Sequence, residues 1–150
     1  MSSKLEWCMD KKNGIKLIDP NDNLTQEYLE SSNEDLENAK IVTGKWRTVT
    51  SYYACYNALY AYLSKVGIKS EIHDCTIELM GTLGYDKKHI DFLKELKERR
   101  VDVQYYLKEP QDIELSKVKG FIKETKSKIK NTDDFEIEEL RKKLEGLAKN

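Results

Sequence analysis

Two arginines, an acid, a glutamine and two tyrosines crowd the stretch Arg99-Arg100-Val101-Asp102-Val103-Gln104-Tyr105-Tyr106. On a helical wheel Leu93, Leu96, Val103 and Leu107 define an apolar stripe, and Arg100 and Gln104 fall inside it. They stand four residues apart, so their side chains can meet on one face. A guanidinium in an apolar stripe is costly unless something pairs with it. Arg100 either snorkels at a core edge, pairs with a carboxylate of a neighbouring helix, or serves an anion such as phosphate, which suits its planar, permanent charge. Arg99 doubles the charge and Asp102 could orient an arginine. Tyr105 and Tyr106 could stack on a base or donate a hydroxyl to phosphate. Tyrosine is equally an ordinary core residue, and the chain has nine.

The remaining reactive side chains form no further constellation. His73 precedes Asp74 in a short helix and reads as a packed or capping histidine. His89 falls in the first turn of a long helix and is expected to be exposed. Neither has a second ligand at helical spacing, so no metal and no cofactor is expected. Cys8, Cys55 and Cys75 are odd in number and include no C-x-x-C pair, so neither a disulfide framework nor a zinc site is expected. Cys55 and Cys75 read as inert core thiols. The gapped lysine run from 117 to 130 reads as a solvated face, with a phosphate-contacting face as the alternative.

The elements that must position Arg100 are helical. Charged residues make up 35% of 150 residues and hydrophobic ones 39%, which suits one domain of long helices with solvated outer faces. A net charge of −1 gives no global basic field, so any RNA contact must come from a local patch. No apolar run approaches the roughly 20 residues needed to span a bilayer. Residues 1 to 10 lack the basic-then-apolar pattern of a signal peptide, and a reducing cytoplasmic location is the expectation.

Residues 1–22 read as an irregular N-terminal arm, with turn chemistry at Asp19-Pro20-Asn21-Asp22. The first helix is expected to start at Asn23, with Gln26 completing a capping box. The second, Lys45 to Val66, is apolar on more than one stripe, hence central, and Gly67 stops it. A short third helix follows Ser70 and ends at Gly84. The fourth runs from about Asp86 to Leu107, the fifth from Ser116 to Lys130, and the sixth from Asp133. In the sixth, Ile137, Leu140, Leu144 and Leu147 form a coiled-coil-like seam. No segment alternates long enough to argue a sheet. The expected fold is all-α, an antiparallel up-and-down bundle of five to six helices over 23–150.

The stretch Trp46-Arg47-Thr48-Val49-Thr50-Ser51-Tyr52-Tyr53-Ala54-Cys55-Tyr56-Asn57-Ala58-Leu59-Tyr60 resembles the signature helix of HEPN domains (higher eukaryotes and prokaryotes nucleotide-binding). Gly67 to His73 is similar to the family's Gly-to-His connection. Leu96-Lys97-Glu98-Arg99-Arg100 followed by Tyr105-Tyr106 resembles its Arg-centred motif. The resemblance covers about residues 23 to 130 and leaves the arm and the last helix as additions. It implies a homodimer with the Arg motifs of two subunits facing one cleft. Many members are metal-independent ribonucleases, often toxins paired with a nucleotidyltransferase-like antitoxin. Their Arg holds the scissile phosphate, and a His four to six residues later assists proton transfer.

This chain keeps the Arg and lacks that His. With four residues between, Arg99 is followed by Gln104 and Arg100 by Tyr105. Glutamine has no titrating proton near neutral pH. The leading expectation is therefore a homodimer that binds nucleotide, RNA or a nucleotidyltransferase-type partner through Arg99, Arg100, Asp102, Gln104, Tyr105, Tyr106 and His73. The alternative is a metal-independent endoribonuclease in which Arg100 acts with Tyr106, Tyr105 or His73. A third reading is a structural interaction bundle assembled through the 137–147 seam.

Overall fold

The computed structural model describes residues 3–148. The elements run α1 (Ser3–Asp10), β1 (Ile15–Leu17), α2 (Asp22–Ile41), α3 (Lys45–Val66), β2 (Ile68–Ser70), α4 (His73–Thr82), α5 (Lys87–Tyr105), α6 (Leu115–Asn131) and α7 (Asp134–Ala148). The chain is an all-α helical bundle carrying one small two-stranded sheet.

α3 is the axis of the fold. It packs against α2, α5 and α6, and its buried residues face in several directions around the helix. Its bounds match those read from the sequence, and Gly67 ends it in the left-handed conformation at φ 78°, which only glycine adopts without strain. α2 folds back on α3 as an antiparallel hairpin. Small residues let the two backbones approach, so that Ser32 donates to the Ala54 carbonyl at 2.6 Å. Farther along the pair, Asn57 donates to Asp35 and the rings of Tyr28 and Tyr60 meet at 5.0 Å.

The first correction concerns the start of α2. Its N-cap is Asn21, whose side chain accepts from the Leu24 backbone N–H, and Asn23 lies inside the helix. The capping box expected at Asn23 and Gln26 does not form, because Asn21 caps the helix two residues earlier and Asn23 lies within its first turn.

The second correction concerns the arm. Within residues 1–22, 3–10 form α1, and 15–17 pair antiparallel with β2 in the register Ile15–Ser70 and Leu17–Ile68. Cys8 and Cys75 are joined in a disulfide across 67 residues, both fully buried. The expectation of no disulfide and of a free Cys75 is thus overturned. The pair is made by tertiary packing of α1 on α4, which leaves no spacing signature. Only Cys55 remains a thiol; it is fully buried, and burial pushes its pKa well up.

α7 closes the bundle. Ile137, Leu144 and Leu147 are buried, and Leu140 packs half-buried against the core, so the seam is consumed within the chain. Nη1 of Arg141 donates to the carbonyls of Ile18, Val66 and Gly67 at 2.7, 3.2 and 2.7 Å. It thereby reaches the Val66 carbonyl at the C-terminal end of α3 and adds a second donor to Gly67, which also accepts from the Ile18 N–H.

Candidate functional site

Arg100 lies on the inner face of α5 and is only 7% exposed. Its burial in the stripe, read from the wheel, is realised. Nη1 donates to Gln104 Oε1 at 3.2 Å and to the Tyr53 hydroxyl at 3.5 Å, a long contact. The guanidinium carbon stands 5.0 Å from the centroid of the Tyr52 ring, 5.6 Å from Tyr53 and 5.7 Å from Tyr105. Three ring faces thus supply the attraction that a carboxylate would otherwise provide. Among the described residues no carboxylate lies within ion-pair distance of Arg100, so pairing with an acid of a neighbouring helix does not occur. Nε is buried and has no hydrogen-bond partner. A buried charge with no acid partner and one orphaned donor asks for an explanation.

α4 brings His73 to the same place. Its ring stacks on Tyr56 at 4.3 Å, and Nδ1 meets the Tyr52 hydroxyl at 2.8 Å. Burial lowers its pKa, the Arg100 and Lys97 charges lower it further, and Asp74 opposes them. Burial holds the Tyr52 phenol in its protonated form. Lys97 on α5 bonds Asp74 on α4 and so pins the helix that carries His73 to the helix that carries Arg100.

The residues expected at the site divide. Arg100, Gln104, Tyr105 and His73 come together around Tyr52 and Tyr53. Arg99 points elsewhere: it pairs with Glu95 and donates to the Asp112 carbonyl at 3.1 Å. Asp102 does not orient an arginine but stands 3.6 Å from Lys108. Tyr106 is the exposed C-cap of α5, and the rings that face Arg100 are those of Tyr52, Tyr53 and Tyr105 instead. Neighbouring helix positions are about 100° apart, so Arg99 and Arg100 cannot share a face. His89 is half-buried, its ring edge-on to Phe121 at 5.8 Å, and is not the freely exposed side chain expected.

Tyr52, Tyr53 and Tyr56 are the site residues that reasoning from the sequence missed. Phenols in the most apolar helix must find polar partners once buried, and that was the available signal. Thr48, four residues before Tyr52, and Ser51 beside it each bury a hydroxyl without a partner. Beyond Tyr106 the helix ends on Leu107, which is exposed and held at φ 53°, where a leucine is strained by about 1–2 kcal/mol. Among the described residues no three of His, Cys, Asp and Glu stand together as a metal site, and no helix is long and apolar enough to cross a membrane.

The chain matches no model of a known protein family, and no curated protein matches it.

Proposed function

We propose that this chain is a HEPN-like domain that binds the phosphate of a nucleotide or of RNA at Arg100. The observation that carries this reading is a guanidinium more than nine-tenths buried with no carboxylate and an unpartnered Nε. Tyr105, exposed at the rim, offers a ring for a base, and Gln104 already orients the guanidinium. The exposed Tyr105, Tyr106 and Leu107 leave apolar surface beside the site for a second copy, so the reading is of a homodimer. A nucleotidyltransferase-type partner and a cytoplasmic location go with it. Burial of both sulfurs of the Cys8–Cys75 bridge hinders attack by thiols there.

A second reading is favoured by one specific contact. The Tyr52 hydroxyl ties His73 to the ring that carries Arg100, so a titratable imidazole stands where the motif in α5 has none. His73 would then assist proton transfer in a metal-independent ribonuclease. Titration of AMP and of a short single-stranded RNA into wild type and Arg100→Ala tests the first reading, and equal affinities end it. Cleavage of that RNA in the presence of a chelator, lost in both Arg100→Ala and His73→Ala, is the result the second requires.

A further inference from the structure

α6 carries six lysines and one glutamate, a net +5 in a chain of net −1. Lys119, Lys123, Lys126 and Lys130 follow at steps of four, three and four. At 100° per residue they fall within about 60° of one another, and at 1.5 Å per residue they span about 16 Å. All four are exposed. No carboxylate of the described residues lies within ion-pair distance of them; Lys126 alone is engaged, by the neutral Asn33 amide at 3.1 Å. Glu124, the only acid of α6, lies on another side of the helix. Like charges at these spacings cost the helix about 0.2–0.5 kcal/mol per pair, and no ion pair of the stripe lysines among the described residues offsets it. Val118, Phe121, Ile122 and Thr125 are buried, so the stripe is presented on an anchored helix.

We infer that this stripe is a track for the phosphodiester backbone of a single nucleic-acid strand. Four lysines over about 16 Å can neutralise up to four phosphates of one strand. The exposed Glu30 and Glu34 of α2 flank Asn33, which meets Lys126, while Glu37 pairs with Lys40. Glu30 and Glu34 bound the track to the width of one helix and disfavour a duplex, whose second backbone would meet them. The stripe lies on a different helix from Arg100 and stands independently of the phosphate reading of that site.

The test is fluorescence anisotropy of the full chain with labelled single-stranded RNA and DNA of mixed sequence, across a salt series. Replacing Lys119, Lys123, Lys126 and Lys130 together by Gln preserves helix propensity. The slope of log affinity against log salt should flatten by about 2.8, which is about 0.7 per lysine. That corresponds to about 50-fold of the affinity lost between 50 and 200 mM salt. Replacement by Arg should keep the slope, and Arg100→Ala should leave this slope change intact. The inference is overturned if the Gln variant binds with unchanged slope. It is also overturned if replacing the scattered Lys12, Lys88, Lys94 and Lys143 flattens the slope as much. Binding of anionic vesicles without binding of either strand, or tighter binding of duplex than of single strand, would overturn it as well.

Discussion

The Tyr52 hydroxyl and the Nδ1 of His73 lie 2.8 Å apart, and the ring that bears this hydroxyl also faces the Arg100 guanidinium at 5.0 Å. One phenol thus links the only buried cation of the bundle among the described residues to a half-buried imidazole. The link makes His73 an electrostatic neighbour of Arg100 although 27 positions separate them in sequence.

That neighbourhood sets a pH dependence. Burial, then the charges of Arg100 and Lys97, hold the imidazole below its ordinary value. As pH falls through about 6.5, the unfolded chain takes up this proton before the folded one does. His73 therefore costs stability progressively from that pH down to its depressed folded pKa, and costs nothing above it. Thermal melts followed by circular dichroism should show wild type losing more stability than His73→Gln between about pH 7.5 and pH 5.5. Parallel losses in the two proteins would show that His73 is not held neutral.

The Cys8–Cys75 bridge closes a long loop between α1 and α4. A loop of that length adds about 4 kcal/mol through the entropy of the unfolded chain. Urea unfolding of the oxidised wild type should therefore have a higher midpoint than the Cys8→Ala, Cys75→Ala double variant. Reductant should bring the wild type close to the variant and leave the variant unmoved. A wild-type midpoint no higher than that of the double variant would mean that the bridge does not form.

Gly67 and Arg141 share one joint. A Cβ on Gly67 would stand 2.4 Å from Arg141 Nη1 and 2.4 Å from the Ile18 carbonyl oxygen, on a backbone already in the left-handed region. Gly67→Ala should lower stability by about 2 kcal/mol or more, combining about 1–2 kcal/mol of backbone strain with the displaced guanidinium. Arg141→Ala should cost about 1.5–3 kcal/mol by leaving three carbonyls without their charged donor. The two losses should be less than additive, because each disrupts the same joint. Strict additivity in a double-variant cycle would separate them.

Much of this fold is legible in the sequence because its helices are long and well bounded. Gly44 and Gly67 bracket α3, Asp86 precedes α5, and the burial of Arg100 follows from the wheel of α5 alone. The pairing of Arg100 with Gln104 is local, four residues apart, and could be read in the same way. What stayed hidden is what distant segments make together. β1 and β2 are three residues each, too short for alternation to register. Cys8 and Cys75 carry no spacing that marks them as partners. The aromatic cage needs α3 turned so that Tyr52 and Tyr53 face α5, a rotation that the uniformly apolar pattern of α3 does not specify.

The central claim is that Arg100 is buried to hold a phosphate and not to hold the fold together. Leucine at this position would fill the stripe without an unpaired charge, and such replacements are often neutral or stabilising. The most direct test is calorimetric titration of AMP into Arg100→Leu, with a thermal melt of the same sample. The account predicts AMP affinity about 10- to 100-fold weaker than wild type, equivalent to about 1.5–3 kcal/mol for a lost charge-assisted contact, with the melting temperature unchanged or raised. Wild-type affinity for AMP in Arg100→Leu would contradict it.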